Sequence, residues 1–396
     1  MGSIKLIKKA KSGKVDASLN KMLKSVEWGE FRLGDLFEVK SSKKIYHANQ
    51  INKIFDRYVE NSFPYIVRTT QNNGLRGYIV EDINFLNDKN TLSFAQDTFS
   101  VFYQKEKYFT GNKVKILEPK FKKQNEQIMQ YLTASFQKSL NTFTWGFGST
   151  IETIIEIKIQ LPTKNNKIDF NFMEDFITKL ENEKIQELDA YLKASNLKDY
   201  HLTNEEQKVL EDFENGKVKW EEFKLGDLFK KLKTKKLPFK AKELPTEPKG
   251  IYNLPCLTSS FNNQGLNYYA PKDNATILKN VISIPSNSDI YRAYFQSKEF
   301  TVLSDAYAIS WIYNNEKLSH NQYLFTVPCI NKVTDLSIYS YKNKLGGWNV
   351  VKNKHILLPT KNKEPNYKLM ETLISAIQKQ VIKDVVLYTR KKLGTV

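Results

Sequence analysis

Two stretches of the chain repeat an apolar side chain at every third or fourth position. In the first these are Met173, Phe176, Ile177, Leu180, Ile185, Leu188, Tyr191 and Leu192; in the second they are Met370, Leu373, Ile374, Ile377, Ile382, Val385 and Tyr388. Such spacing lays the side chains along one stripe of an α-helix. The stripes correspond position by position, with Lys184 opposite Val381 interrupting the match. Glu and Lys between them suit exposed faces. Two equal helices with the same stripe bury it best against each other. The chain must return after an intervening globule, so an antiparallel coiled coil is the simplest pairing.

Between the helical stretches the pattern shortens. PYIVRT, FSVFYQ and IEIKIQL read as strands separated by Asn, Gly and Pro turns. A helix is predicted at about residues 124–139. Strands and helices in separate runs define an α+β class. From about residue 197 to 219 the chain is acidic. There TNEE at Thr203 opens a helix as a capping box, and Gly216 closes it. A solvated packing helix is the plain reading of this segment.

The pattern is also duplicated, at a spacing of about 195 residues. WGEFRLGDLF beginning at Trp28 returns as WEEFKLGDLF at Trp220; Lys43 and Lys44 return as Lys235 and Lys236. QNNGL at Gln71 returns as NNQGL at Asn262, and LPTKN at Leu161 returns letter for letter at Leu358. Spacing that drifts by only a few residues means one unit copied with small loop changes.

Composition adds a partner to this picture. Lys and Arg total 61 against 43 Asp and Glu, a formal charge of +18. An excess this large repels itself in the folded state, and a polyanion such as nucleic acid or an anionic membrane surface offsets it. Hydrophobic residues at 40% and aromatics at 13% suffice for a sizeable core and exclude wholesale disorder. Two cysteines, Cys256 and Cys329, are too few for a disulfide framework and are read as buried hydrophobes. The basic N-terminal segment has no apolar core of a signal peptide, and no apolar run is long enough to span a bilayer. No membrane partner is expected, and the location is read as cytoplasmic.

The ordered set, W-x-x-F-x-L-G-D-L-F, the Asn-Gly loop and LPTKN followed by a long helix, all twice, resembles the specificity (S) subunit of type I restriction-modification systems. Its opening motif is most similar to the branch with the S subunits of type IIB, BcgI-like enzymes. The Gly-rich loop after the first strand of commoner type I subunits is missing. The resemblance implies two target recognition domains, each reading one half of a split double-stranded DNA site. It also implies an antiparallel coiled coil that separates them, sets the spacing and docks two adenine-specific methyltransferase subunits, with a restriction subunit as a further partner. No catalytic centre and no cofactor is implied in this chain; S-adenosylmethionine, Mg²⁺ and ATP belong to the partners. The expected organisation is a basic arm at 1–26, recognition domain 1 at 27–163, spacer helix 1 at 164–196, a connector helix at 197–218, recognition domain 2 at 219–360 and spacer helix 2 at 361–396. A 25-residue helix is about 37 Å long at about 1.5 Å per residue, close to the roughly 34 Å between half-sites on one face of DNA. Met173, Phe176, Ile177, Leu180, Leu188, Met370, Leu373, Ile374, Ile377 and Val385 are the expected coiled-coil and partner interface.

Where the copies agree a residue is read as scaffold; where they differ in one loop it is a candidate base reader. Lys43, Lys44, Lys235 and Lys236 suit phosphate contacts, which position without specifying. In the first loop Arg68, Thr69, Thr70, Gln71, Asn73 and Arg76 surround a Gly turn; Ser259, Ser260, Asn262, Gln264 and Asn267 occupy its counterpart. Arg pairs with guanine and Asn or Gln with adenine in the major groove, so Arg68 opposite Ser259 and Arg76 opposite Asn267 are the favoured differences. Asn72, Asn263, Gly74 and Gly265 are read as turn formers. A second loop offers Gln96, Asp97 and Thr98 against Asn287, Ser288, Asp289, Tyr291 and Arg292. A third holds Trp145 and Trp348, read rather as core anchors.

Enzyme chemistry finds little foothold. No [DNS]-P-P-[YFW] tetrapeptide of an amino-methyltransferase occurs, and the G-x-G at Gly146 is not a complete cofactor loop. Glu156-Ile157-Lys158 has the local form of a nuclease site, but Asn353, Lys354 and His355 replace it in the second copy, so the acid is gone. His47, His201, His320 and His355 lack ligand spacing. A binding and assembly subunit is the reading that remains, with a coiled-coil scaffold lacking sequence readout as the alternative. A DNA reader should gather Lys, Arg, Asn and Gln at one edge of each globule; a scaffold need not.

Overall fold

In the computed structural model, which describes residues 17–141, 150–288, 290–340 and 342–394, the chain divides into two compact units, Met1–Tyr191 and Leu192–Val396. The strands of the first are β1 (Glu27–Arg32), β2 (Phe37–Ser41), β3 (Phe63–Ile66), β4 (Leu75–Ile79), β5 (Thr91–Ala95), β6 (Ser100–Gln104), β7 (Phe109–Thr110), β8 (Val114–Pro119), β9 (Lys158–Lys164) and β10 (Lys167–Ile168). Those of the second are β11 (Trp220–Lys224), β12 (Phe229–Lys231), β13 (Tyr252–Leu257), β14 (Leu266–Pro271), β15 (Val281–Pro285), β16 (Tyr294–Gln296), β17 (Thr301–Val302), β18 (Ala306–Trp311), β19 (His355–Lys361) and β20 (Glu364–Pro365). The first unit builds sheets in the orders β1-β9-β10, β2-β8-β5-β6 and β4-β3-β7; the second repeats them as β11-β19-β20, β12-β18-β15-β16 and β14-β13-β17.

This topology explains which letters were kept in both copies. Trp28 lies opposite Pro162 in the β1·β9 ladder, and Trp220 lies opposite Pro359 in β11·β19. The motifs at the start and end of each copy are therefore antiparallel neighbours. LGDL forms a single helical turn after β1 and again after β11. Its glycine is required by close approach. A Cβ at Gly34 would sit 2.8 Å from Ile155, and one at Gly226 would sit 2.9 Å from the Lys352 carbonyl.

The helix expected near residues 124–139 spans Glu126–Leu140, capped by the Asn125 side chain. Ile128, Met129, Leu132 and Phe136 bury completely in the first core, with Phe136 stacked on Phe94. Its counterpart, His320–Thr334, starts with a capping box of Ser319 and Gln322 and buries Phe325 and Ile330. Cys256 is fully buried, and burial pushes its thiol up to about 12; Cys329, half-buried, is pushed to about 11. Both are free thiols.

The long helices run Phe170–Ala194 and Tyr367–Lys392. Their stripes require a correction. Met173, Phe176 and Ile177 belong to the core of the first unit, and Leu180 packs against it. Met370 and Leu373 belong likewise to the core of the second, with Ile374 packed on it. The opening turns of each helix thus anchor it to its own globule, because an apolar sheet and helix already need that face. Further along, Ile185 and Leu192 are buried and Leu188 is half-buried. On the second helix Ile377, Val381, Val385 and Tyr388 are exposed, Val381 at 73%, while Val386 and Thr389 are buried.

The basic N-terminal arm also needs correction. Residues 17–25 form a helix whose Leu19 is 0% exposed in the first core, and Ser18 Oγ donates to Glu183 on the long helix at 3.0 Å. The connector helix, Asn204–Glu214, has the same place in the second unit: Leu210 enters the core and Glu206 binds Ser375 and Lys379 of the long helix. Each repeat therefore begins with a short helix that enters its own core and is joined to its own long helix by a polar bond. The capping box of Thr203 and Glu206 is present, but Glu206 is buried, not solvated.

Candidate nucleic-acid interface

The Asn-Gly loop leaves the end of β3 and returns in β4. Val67 N–H donates to the Gly74 carbonyl at 2.8 Å, and Thr258 N–H to the Gly265 carbonyl at 3.2 Å. Asn72, Asn73 and Gly74 have φ of 49°, 53° and 79°; Asn263, Gln264 and Gly265 have 47°, 56° and 89°. Consecutive left-handed residues favour Asn and Gly. The Asn72 amide donates to the Leu75 carbonyl at 3.3 Å and the Asn263 amide to that of Leu266 at 3.2 Å. These two asparagines close the turn.

A second residue pair, which the sequence reading passed over, holds the loop to the sheet. Gln104 Nε2 donates to the Asn73 carbonyl at 3.1 Å and to Ser93 Oγ at 2.9 Å. Gln296 Nε2 donates to the Gln264 carbonyl at 3.1 Å and to Ser283 Oγ at 3.0 Å. The signal was available, since FYQ at Phe102 returns as YFQ at Tyr294. Gln104 is 5% exposed. Gln104→Leu leaves the buried Ser93 hydroxyl and the part-buried Asn73 carbonyl without their donor, so it should cost about 1–3 kcal/mol and speed hydrogen exchange in residues 71–75. Unchanged thermal unfolding and exchange would refute the bracket.

Three loops meet here. Arg68, exposed, makes an ion pair through Nη1 with Asp97 Oδ2 in the β5–β6 turn. Lys113, just before β8, reaches Asp97 Oδ1 at 3.0 Å. Burial acts to raise the Asp97 carboxyl, but hydrogen bonds from Lys113 and Arg68 outweigh it and hold it below its usual value. Ser100 Oγ donates to the Thr69 carbonyl at 3.2 Å, tying the turn to the loop. Thr70, Gln71, Asn73 and Arg76 are exposed on the same loop and strand start, and Gln96 lies beside Asp97 in the turn. The Asn73 amide is occupied by the Tyr103 carbonyl at 3.0 Å.

In the second unit the same loops meet with other side chains. Ser259, Ser260 and Asn267 are half-buried, and Asn262 and Gln264 are exposed. Ser288 Oγ donates to the Ser259 carbonyl at 2.8 Å, so it braces the loop; Asn287 is half-buried beside it. Tyr291 is corrected. It is 1% exposed in the core, edge-on to Tyr339, and is not available to a base. Arg292 is exposed but paired with Asp335 at 2.7 Å, which raises its already high pKa. Asp289, Trp145 and Gly146 lie outside the described residues. Trp348 packs against the second core, with Tyr307 at 6.2 Å.

The lysine pairs differ. Lys43 lies 3.6 Å from Asp88, and Lys44 sits over the rings of Tyr46 and Phe85, 4.8 Å from each. All four, Lys235 and Lys236 included, are exposed. The backbone N–H of Lys43 donates to Asn87 and that of Lys235 to Thr276, so the first lysine of each pair is held in the same way. The nuclease-like acid and lysine are separately spent: Glu156 pairs with Arg32, and Lys158 with Glu30 at 2.7 Å. Among the described residues, no group of three or more His, Cys, Asp or Glu is placed to hold a metal, and no helix is long and apolar enough to cross a membrane.

Twofold repetition of one loop scaffold, with polar side chains exchanged at equivalent places, defines a specificity module in duplicate. The type I restriction modification DNA specificity domain matches the chain twice, at residues 25–190 and 217–388, and the chain belongs to that family. Among curated proteins it is 23% identical over 365 residues to the type II restriction enzyme specificity subunit S.BcgI of Heyndrickxia coagulans, covering 90% of this chain and 96% of that one. Among solved structures, the S subunit of a type I restriction-modification system from M. genitalium shares the fold at a TM-score of 0.53 and 14% identity, over 96% of this chain and 94% of that one. A sequence-specificity role in DNA restriction-modification follows from the family.

Proposed function

We propose that each unit reads one half of a bipartite, asymmetric double-stranded DNA site, and that the chain contributes recognition and assembly but no catalysis. The observation that carries this is the common loop scaffold with different side chains at matching positions: Arg68 against Ser259, Arg76 against Asn267. A shared scaffold docks both units alike, and the exchanged side chains make the half-sites different. The two long helices, of 25 and 26 residues, pair antiparallel through their later turns and fix the gap. The exposed row Ile377, Val381, Val385 and Tyr388 receives a methyltransferase subunit. Two such adenine-specific subunits carry S-adenosylmethionine, and a restriction subunit or fused nuclease carries Mg²⁺ and any ATP.

Co-expression with the neighbouring methyltransferase, followed by single-molecule sequencing of the host genome, tests this. A split methylation motif with a fixed gap, lost when the chain is omitted, is expected. Co-purification without new methylation would favour a scaffold.

A further inference from the structure

The ion cluster at the meeting of the three loops has a counterpart of opposite charge. Gln96 N–H donates to the Lys113 carbonyl at 3.0 Å, and Ser286 N–H donates to the Asp305 carbonyl at 2.8 Å. These bonds extend equivalent ladders, Ala95 opposite Val114 and Pro285 opposite Ala306. Lys113 and Asp305 therefore hold the same place, as do Arg68 and Ser259, which follow the matched bonds of Val67 and Thr258. Asp97, next after Gln96, corresponds to Asn287, next after Ser286. The first unit thus presents Arg, Asp and Lys where the second presents Ser, Asn and Asp, a formal +1 against −1.

Stability does not account for the first set. Arg68 and Lys113 have side chains 47% and 50% exposed, and ion pairs so exposed add little to folding. What the geometry does is orient. Asp97, more sheltered at 23%, accepts from Nη1 of the guanidinium, which carries five N–H donors in a fixed fork. Lys113 neutralises that carboxylate, so an approaching polyanion meets no net negative charge. A guanidinium held this way suits the two acceptors of guanine, O6 and N7. Asp305 and Asn287 supply acceptors, which suit the amino group of cytosine or adenine.

Resting on the reading of the chain as a reader of two half-sites, we propose that Asp97 is a positioning residue that aims Arg68 at a guanine, with Lys113 as its counter-charge. The equivalent position of the other half-site presents an amino-bearing base to Asp305 and Asn287. One unit thus selects by donation and the other by acceptance at the same place in the fold.

The test is selection from randomised duplexes by the full chain together with its methyltransferase, scored base by base. Wild type should select guanine at one position of one half-site. Asp97→Asn and Arg68→Lys should each lower that preference at least about tenfold, while the other half-site and the salt dependence stay as in wild type. A triple exchange in the second unit, Ser259→Arg with Asn287→Asp and Asp305→Lys, should shift its matching position toward guanine. Guanine preference unchanged in both single variants, or loss spread evenly over both half-sites, overturns the proposal while leaving the two-half-site reading intact. A wild-type complex that selects no split sequence overturns that reading, and the proposal with it.

Discussion

Methionine in place of Lys379 will destabilise the second unit by about 3 kcal/mol at neutral pH, because it strands a carboxylate that is already out of water. Glu206 has a side chain only 7% exposed and Lys379 one 17% exposed, with Nζ and Oε2 2.9 Å apart. Lys379 also donates to the His201 carbonyl at 3.0 Å. Methionine retains most of the lysine stem, so the loss reports charge and hydrogen bonding rather than a cavity. The variant keeps Ser375 and the Thr203 N–H as donors to Glu206, at 2.6 and 2.8 Å, which places the cost at the lower end for a broken buried pair.

The same pair gives a pH dependence of definite sign. Burial acts to raise the Glu206 carboxyl, but hydrogen bonds from Ser375, the Thr203 backbone and Lys379 outweigh it and bring it from 4.5 to about 2. A folded value below the unfolded one means that the contribution is complete above about pH 4.5 and fades as pH falls toward 2. Urea unfolding of wild type and Lys379→Met at pH 7 and pH 3, with hydrogen exchange in Asn204–Glu214 to localise the change, measures both effects. The gap between the proteins should narrow in acid. Equal stability at pH 7 would remove the pair from any account of how the connector helix is fixed.

How much of this was legible in the sequence depended on whether a contact fell inside a kept motif. WGEFRLGDLF and LPTKN pair with each other in space, so their letters survived duplication and could be matched by eye. The short helices at residues 17–25 and 204–214 share one role but scarcely any letters; what they keep is an apolar side chain, Leu19 and Leu210, and a polar bond to the long helix. Periodicity revealed the helical stripes without saying against what they pack, and the first turns are claimed by each unit's own core. Tyr291 misled because the β15–β16 connection is longer than β5–β6. The added residues carry Tyr291 into the core and Arg292 to Asp335. Arg68 was visible as a cation, but its partners, Asp97 and Lys113, come from separate loops joined only by the fold.

Raising the salt from about 50 to 200 mM will weaken DNA binding by the chain in complex with its methyltransferase by about a thousandfold, if about six phosphates are neutralised. A net charge of +18 supplies the cations, but their locations decide which of them act. All four lysines of the pairs are exposed, but Lys43 lies beside Asp88 and Lys44 sits over the faces of Tyr46 and Phe85. Lys235→Ala with Lys236→Ala should therefore reduce the salt slope by up to about two contacts, uniformly across DNA sequences. Lys44→Ala should leave the slope nearly unchanged and loosen the small core around Tyr46 instead. Fluorescence anisotropy over a salt series separates the two. An affinity insensitive to salt would mean that the positive charge serves something other than the phosphate backbone, and the lysine pairs would lose their role as positioning contacts.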